Sequence, residues 1–319
     1  MKKLEELLET LKPSIQKFTT ISGTPTALYE PISYILGLGG KRIRPAMVLA
    51  SYKLYKDQIS EEAIELAEVV EMFHNFTLMH DDILDGADLR RGQQTVHKKW
   101  DEPTAILSGD LLQILVYQKL SKIGNIAILD LFSSMAVELC EGQMDDMQFE
   151  TMDNVKNEAY IEMIRQKTAV LLGFSLKAGA MLAGASTNES DDLYDLGIAI
   201  GLSFQLMDDY LDSFGEKAKV GKRIGGDILE KKKTYLWNEM WSSLNPTEQQ
   251  QINEAYKLSE EETIQFVKSK MKETKASNAT LELAQYYTNT SLNLLADLEF
   301  PNDKSYLEEI VQILSGRES

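Results

Sequence analysis

The residues best suited to chemistry lie in two aspartate-rich motifs of identical spacing, DDILD and DDYLD. Their carboxylates belong to Asp81, Asp82, Asp85, Asp208, Asp209 and Asp212. On a helix, residues four apart lie on one face, so the first and last aspartate of each motif project together and repel unless a cation lies between them. One such motif could be a solvated surface. Two motifs facing each other across a helical bundle would instead form an oxygen-rich site for magnesium, which bridges carboxylates to phosphates.

Basic side chains accompany both motifs, as a polyphosphate substrate requires. Arginine binds phosphate through two parallel hydrogen bonds, and lysine acts as a point charge. The candidates are Lys41, Arg42, Arg44, Arg90, Arg91, Lys167, Lys222 and Lys232. The segment GGKRIRP is not a Walker loop, because the pattern GxxxxGK[ST] is absent. Any single one of these cations could be a surface charge, so the argument rests on their association with the aspartates.

The elements that must position these side chains are helices. Apolar residues recur at three- and four-residue spacing over 61–81, 105–120 and 193–211. His74 lies two turns before Asp81 on the same helix face, and this alignment favours a position of His74 in the cavity. The N-terminal stretch is expected to form an amphipathic helix, and the single cysteine, Cys140, is expected in the core. No strand, linker or tandem repeat is evident. The sequence therefore predicts one all-α domain over residues 1–319.

The composition of the chain argues against several classes of protein function. The formal net charge of −17 argues against nucleic-acid binding, which needs a basic surface. One cysteine excludes an intrachain disulfide and a cysteine-rich zinc site. The most apolar stretch, 169–186, is interrupted by Lys177 and fits a buried core helix better than a membrane span. The N-terminus lacks an apolar signal core, so we expect a cytoplasmic protein.

The ordered motifs match a known family. GGKRIRP, DDILD followed by RRG, then KTA, FQLMDDYLD and GKRIGGDILEKKKT resemble the trans-isoprenyl (polyprenyl) diphosphate synthases, and the likeness runs from about Ile32 to Leu236. The resemblance implies the isoprenoid synthase fold, a single large helical bundle around a central cavity. It also implies a homodimer that joins isopentenyl diphosphate head to tail to an allylic diphosphate.

The resemblance also implies roles for individual residues. About three magnesium ions would be held by Asp81, Asp85 and Asp208, assisted by Asp82, Asp209 and Asp212. The allylic diphosphate would contact Arg90, Lys167, Lys222 and Lys232. The diphosphate of isopentenyl diphosphate would contact Lys41, Arg44, His74 and Arg91. The side chains near the developing carbocation would be Thr168, Gln205 and the aromatic Phe204. A further carboxylate, Asp146 beside Gln143, would orient basic residues.

Product length depends, in this family, on the residues just before the first aspartate motif. Phe76 and Thr77 lie five and four positions before Asp81. A bulky aromatic there resembles the short-chain synthases, so geranylgeranyl diphosphate is the expected product. Farnesyl diphosphate or a longer product is the alternative.

Two other functions compete with this prediction. A class I terpene cyclase shares the helical bundle, magnesium and one DDxxD motif, but it would not need the GGKRIRP and RRG cations. A non-catalytic helical subunit of a heteromeric synthase belongs to another class of protein. Such subunits have typically lost the aspartate motifs, and this chain keeps both.

Overall fold

The computed structural model describes residues 2–215 and 224–315, and these are almost entirely helical. The first half contains α1 (Lys2–Phe18), α2 (Thr26–Gly37), α3 (Ile43–Lys53), α4 (Glu61–Leu84), β1 (Leu89–Arg90), β2 (Gln93–Gln94), α5 (Val96–Lys99), α6 (Glu102–Ile123) and α7 (Ile126–Thr151). The second half contains α8 (Asn157–Ile164), a π-helical segment (Arg165–Ala169), α9 (Val170–Ala183), α10 (Thr187–Phe214), α11 (Gly226–Leu229), α12 (Tyr235–Ser243), α13 (Pro246–Ala255), α14 (Glu260–Glu273), α15 (Ala276–Asp297) and α16 (Ser305–Ser315).

The chain folds into two compact units. The first comprises the described parts of Met1–Ser133, Phe174–Tyr194 and Glu299–Ile310, and the second comprises those of Ser134–Gly173, Asp195–Leu298 and Val311–Ser319. The expectation of a single domain over 1–319 stays a prediction.

The first unit is built around α4, which packs mainly on α6 and α3. Ser60 caps its N-terminus by accepting a hydrogen bond from the backbone of Ala63, which satisfies one of the unpaired amides of the first turn. Aromatic rings surround the buried Phe132: it makes edge contacts with Phe73 at 4.8 Å and with Phe174 at 5.5 Å between centroids. This packing gives α4 a fixed orientation, and its last turn carries the first aspartate motif.

The second unit contains two apolar cores. One joins α8, α10 and α15 through buried residues that include Tyr160, Leu206 and Ala284. The other joins α12, α13 and α14 through Trp237, Ile252 and Met271, among others. The second aspartate motif lies at the end of α10, beside the first of these cores.

The predicted helices are confirmed, and α4, α6 and α10 are longer than their periodic stretches by three, six and nine residues, respectively. The amphipathic N-terminal helix buries Leu4, Leu7 and Leu11, as expected, and 170–183 forms a largely buried helix. The expectation for Cys140 is wrong: its side chain is exposed, because it lies on a solvent-exposed face of α7. None of the helices in the described ranges is both long and apolar enough to cross a membrane.

Candidate active site

The first aspartate motif lies where α4 ends. Asp82 is buried, and both of its oxygens accept hydrogen bonds from Arg90: Nε lies 2.9 and 2.8 Å from Oδ1 and Oδ2, and Nη2 lies 2.6 Å from Oδ1. Asp81 is half-buried, and Asp85, the residue that ends the helix, is exposed. The three carboxylates of this motif are therefore not equivalent: Asp82 fixes an arginine, and the other two lie nearer to solvent.

A two-residue hairpin presents the next cations. Arg90 pairs with Gln93 across it, and the turn residues Arg91 and Gly92 have φ values of 53° and 77°. Positive φ at both turn positions suits the right-handed twist of the strands. Thr95 closes the loop by donating from Oγ1 to the carbonyl of Ala87 at 2.7 Å. The hairpin thus holds Arg90 and Arg91 at a defined place beside the end of α4.

The glycines of GGKRIRP let Arg91 approach the loop closely. Its Nη1 donates to the carbonyl of Gly39. Gly40 has a φ of 134°, and a Cβ there would lie 2.9 Å from the guanidinium carbon of Arg91. A side chain at this position would therefore displace the arginine as well as strain the backbone.

Arg44 and His74 complete this cationic cluster, with Arg44 Nη1 3.3 Å from His74 Nε2. Burial, followed by the charges of the neighbouring arginines, lowers the pKa of His74 well below its ordinary value, so the imidazole is neutral. Burial also lowers the pKa of Arg44 to about 10, which leaves the guanidinium charged at neutral pH. The first unit thus brings together Arg44, His74 and Arg91, and Lys41 lies exposed in the same loop.

The predicted product-length residues lie on α4, before the motif. Phe76 is half-buried, with its ring 4.8 Å from His80 and 5.6 Å from Phe73. Thr77 donates from Oγ1 to the carbonyl of His74 at 2.8 Å. Phe76 is therefore a bulky side chain in contact with two neighbouring rings, and the hydroxyl of Thr77 is bound to the backbone of the preceding turn.

In the second unit, Lys167 and Thr168 lie in the π-helical segment Arg165–Ala169. Short π segments within α-helices are frequent at functional sites. Glycines on α7 and α10 let these helices pack closely against the π-helical segment. A Cβ at Gly142 would lie 2.6 Å from the backbone nitrogen of Lys167, and a Cβ at Gly201 would lie 2.5 Å from Ala169. The close packing holds an irregular backbone that a free helix would not keep.

The side chains of this segment contact the residues predicted to lie near them. Lys167 Nζ donates to Asp146 at 2.5 Å, in line with the expected orienting role of that carboxylate. Thr168 donates to the amide oxygen of Gln205 at 3.1 Å. Gln205 in turn donates to Oδ1 of Asp209 at 2.9 Å, which links the π segment to the second aspartate motif.

The second motif lies in the last turns of α10. Asp209 is buried and accepts a hydrogen bond from the hydroxyl of Tyr160. Asp212 accepts a bond of 3.0 Å from the backbone nitrogen of Asp227, at the start of α11. Phe204 and Asp208 are half-buried on the same helix. Lys232 lies 3.4 Å from Glu230, and the predicted Lys222 lies outside the described residues.

The electrostatics of this carboxylate cluster are unfavourable without an added cation. Burial, and then the charge of Asp227, raises the pKa of Asp209 well above its ordinary value. Burial, and then the charge of Asp212, raises the pKa of Asp227 to about 7. Both groups therefore retain protons that a nearby positive ion would displace. Such a cluster fits a hard divalent cation.

The described residues contain no group of three or more His, Cys, Asp or Glu side chains that could by itself hold a metal ion. Magnesium does not require one, because it keeps several waters and commonly takes only one or two carboxylates together with substrate phosphate. The predicted donors are all carboxylates, which suit magnesium better than zinc, since zinc sites are usually built with thiol or imidazole ligands.

Sequence reasoning missed three residues that the structure places in these clusters: Glu71, Tyr160 and Asp227. Asp227 could have been found, because it lies inside the segment GKRIGGDILEKKKT. Glu71 lies three positions before His74 and eleven before Asp82, on one stripe of α4. Tyr160 carries no sequence signal, since its partner Asp209 is forty-nine positions away.

These features define a class: an all-helical protein with two aspartate-rich helix ends and a compact arginine cluster suited to phosphate groups. The family model described as polyprenyl synthetase matches residues 25–274, and the chain belongs to that family. A curated relative, the short chain isoprenyl diphosphate synthase of Methanocaldococcus jannaschii, is 42% identical over 237 residues, which cover 73% of this chain and 70% of the relative.

Two solved structures resemble the chain over nearly its whole length. A geranylgeranyl pyrophosphate synthase shares 40% identity with a TM-score of 0.89, covering 99% of each chain. A polyprenyl synthase from Caulobacter crescentus, complexed with calcium and isoprenyl diphosphate, shares 28% identity with a TM-score of 0.88, covering 100% of this chain and 98% of the other. The predicted all-α isoprenoid synthase fold and the predicted enzyme class, a trans-prenyltransferase, are thereby confirmed.

Proposed function

We propose that this enzyme condenses isopentenyl diphosphate with an allylic diphosphate, head to tail, to give a short-chain product, most readily geranylgeranyl diphosphate. The observation that carries the proposal is the cluster of Arg44, His74 and Arg91, which supplies a site for a second diphosphate. A cyclase, which binds one allylic diphosphate, has no use for such a site.

The difficult step is breakage of the carbon–oxygen bond of the allylic diphosphate, whose electron pair leaves with the diphosphate oxygen. Divalent metal ions, when bound, stabilise the negative charge that builds up on this leaving group. Arg90, fixed by Asp82, and Lys167, fixed by Asp146, add fixed positive charge. Because their carboxylate partners already orient them, they need little reorganisation when the charge develops.

Bond formation follows on the resulting allylic cation. The double bond of isopentenyl diphosphate attacks the cationic carbon, forming the new carbon–carbon bond and a tertiary cation. That cation loses a proton to the departing diphosphate, which restores a double bond. Thr168 and Gln205 present oxygen atoms near this position, and their mutual hydrogen bond of 3.1 Å holds those dipoles in place. Exclusion of water from this site would keep the cation from being quenched.

We propose that the metal is magnesium, at about three ions per active site, held by Asp81, Asp85 and Asp208. In this proposal the assisting residues are Asp82, Asp209 and Asp212. The raised pKa values of Asp209 and Asp227 support a cation beside the second motif. Asp82 assists through Arg90, because both of its oxygens are bound to that side chain.

For product length we propose Phe76 as the floor of the elongation pocket. Its ring lies two helical turns before the end of α4, supported by Phe73 and His80, so a growing chain would meet a braced surface. The geranylgeranyl product of the structural relative supports a short chain.

A product assay tests the proposed function. The protein is incubated with magnesium, isopentenyl diphosphate and, in turn, dimethylallyl, geranyl or farnesyl diphosphate, and products are identified by mass spectrometry. We expect condensation only when both substrates are present, and its loss in Asp81→Ala. Diphosphate release from an allylic substrate alone would indicate a cyclase, and no reaction with any pair would indicate a non-catalytic subunit.

We also propose a homodimer. On α6, the side chains of Leu107 and Ile114 are 59% and 55% exposed, an apolar stripe of the kind that a second copy would cover. Sedimentation of the purified protein measures this directly, and a monomeric mass would refute it. The cytoplasmic location stays a prediction.

A further inference from the structure

A buried ion pair lies beside the cationic cluster, and the proposed reaction does not use it. Arg42 Nη1 donates to Oε1 of Glu71, and its Nη2 donates to the carbonyl of Leu36 at 2.6 Å. The two residues are 9% and 3% exposed. Asn75 donates to the same oxygen of Glu71 at 2.7 Å. Two donors from different elements therefore fix the carboxylate of Glu71.

The backbone at Arg42 is in a conformation that this residue type rarely adopts. Its φ of 50° and ψ of 34° lie in the left-handed region, just before α3 begins. A non-glycine residue keeps such a conformation when its surroundings hold it there. Here the side chain is anchored both to α2, through Leu36, and to α4, through Glu71. The anchored residue lies between Lys41 and Arg44, so it determines how the loop presents both.

Glu71 also acts on the cluster through its charge. Burial lowers the pKa of Arg44 and of Arg91; the charge of Glu71 raises both pKa values, and the neighbouring arginines lower them. Because Oε1 of Glu71 is held by Arg42 and Asn75, the carboxylate balances the cations from a fixed position. A free carboxylate would instead compete with an incoming diphosphate for the same guanidinium groups.

A second buried carboxylate further along α4 fixes an arginine in the same way. Asp82 lies eleven positions after Glu71, about 16 Å along the helix axis. It holds Arg90 just as Glu71 holds Arg42, and each fixed arginine is a neighbour in sequence of residues predicted to bind a diphosphate. Two of the buried carboxylates of this helix thus each fix one of the two basic segments.

We propose that Glu71, held by Arg42 and Asn75, is a positioning residue for the site that binds the diphosphate of isopentenyl diphosphate. The inference rests on the proposed function. Glu71 does not touch the substrate. It sets the orientation and the charge balance of Arg44 and Arg91, so its loss should affect isopentenyl diphosphate and not the allylic substrate.

The experiment compares three variants with the wild-type protein. Glu71→Gln removes the charge while keeping the shape. A double variant, Arg42→Gln with Glu71→Gln, removes both charges and leaves no unpaired buried ion. Glu68→Gln is the matched control, because Glu68 is another buried glutamate of α4, paired with Lys119 away from the cationic cluster. Steady-state kinetics with each substrate varied in turn, calorimetric binding of isopentenyl diphosphate alone and thermal unfolding are measured for all.

We expect both Glu71 variants to weaken isopentenyl diphosphate binding and to raise its KM roughly tenfold, with the KM of the allylic substrate unchanged. Tenfold is roughly the smallest effect typical of losing a residue that orients a metal ligand, which is the comparable case. The double variant should recover thermal stability but not the affinity. Glu68→Gln should lower stability only. Wild-type affinity in the double variant, or equal increases in both KM values, would show that the pair is merely structural. A wild-type protein that binds no isopentenyl diphosphate would overturn the proposed function itself.

Discussion

Asp227 should make the stability of the metal-free protein fall as pH rises. Its pKa of about 7 in the folded chain, raised by burial and then by Asp212, compares with an ordinary value of 3.8. Between these values the folded protein keeps a proton that the unfolded chain has lost. A group with a raised folded pKa stabilises the fold fully below its unfolded pKa, and that stabilisation is lost as pH rises through the folded pKa.

The expected magnitude follows from the size of the shift. Each pKa unit corresponds to about 1.4 kcal/mol, so titration from about pH 5 to about pH 8 should remove about 3 kcal/mol contributed by this one carboxyl group. Asp227 is half-buried at the start of α11, so solvent screens this interaction only in part. For a large domain, such a loss corresponds to a decrease in melting temperature on the order of 5 °C.

The assay is thermal unfolding of the chelator-treated protein at several pH values and constant ionic strength, compared with Asp227→Asn. The difference between the two proteins reports Asp227 together with its effect on the pKa of Asp209. It removes the contribution of His74, whose lowered pKa makes stability change with pH in the opposite sense. We expect the wild type to lose stability relative to the variant as pH rises, and added magnesium to reduce that loss. A wild-type-to-variant difference that stays constant from about pH 5 to about pH 8 would refute the electrostatic account.

Three further changes test other parts of the site. Phe76→Ala should lengthen the product, because it removes the ring braced by its aromatic neighbours, and chromatography of the products measures this. Gly142→Ala should lower both kcat and the melting temperature, since its methyl group would collide with the π-helical backbone, whereas Gly37→Ala meets open space and serves as the control. Tyr160→Phe should cost about 1–3 kcal/mol of stability and raise the magnesium concentration needed for half-maximal activity, because Asp209 loses a donor.

Each of these changes has an outcome that would contradict its reasoning. An unchanged product spectrum in Phe76→Ala would exclude that ring as the floor. Equal activities of the two alanine-for-glycine variants would show that the compressed π segment is not needed for catalysis. An unaltered magnesium requirement in Tyr160→Phe would separate Asp209 from the metal.

The fold could be predicted because its signals are local. Apolar periodicity marks α4, α6 and α10 in any sequence window of suitable length, and burial of one face follows from it. The hairpin at residues 89–94 could not be predicted this way, since two-residue strands carry no alternation. It depends on the positive φ of Arg91 and on the hydrogen bonds of Thr95, and neither is visible as a hydrophobic pattern.

The candidate site, too, could be predicted from the sequence only in part. The aspartates and the cations near them could be found from residue type and spacing, but their individual tasks could not. The spacing of DDILD predicts that Asp81 and Asp85 share a face, but it does not predict that Asp82 is buried against Arg90 while Asp85 is exposed. Likewise, GGKRIRP offers three cations within four residues, and only tertiary contacts reveal that Arg42 points inward to Glu71.

The arginine cluster of the first unit and the carboxylate cluster of the second unit are prepared for their ligands in opposite ways. In the first unit, the arginines already have partners, because Glu71, Asp82 and the carbonyl of Gly39 hold them in place, so the repulsion among them is offset when the chain folds. A diphosphate then meets oriented donors and needs little further ordering. In the second unit, the pKa values of Asp209 and Asp227 stay raised, so a cation that binds beside them is needed to stabilise their ionised forms. A chain with a net charge of −17 can therefore bind anionic substrates, because the sign of the local field is determined by these buried pairs and not by the total charge.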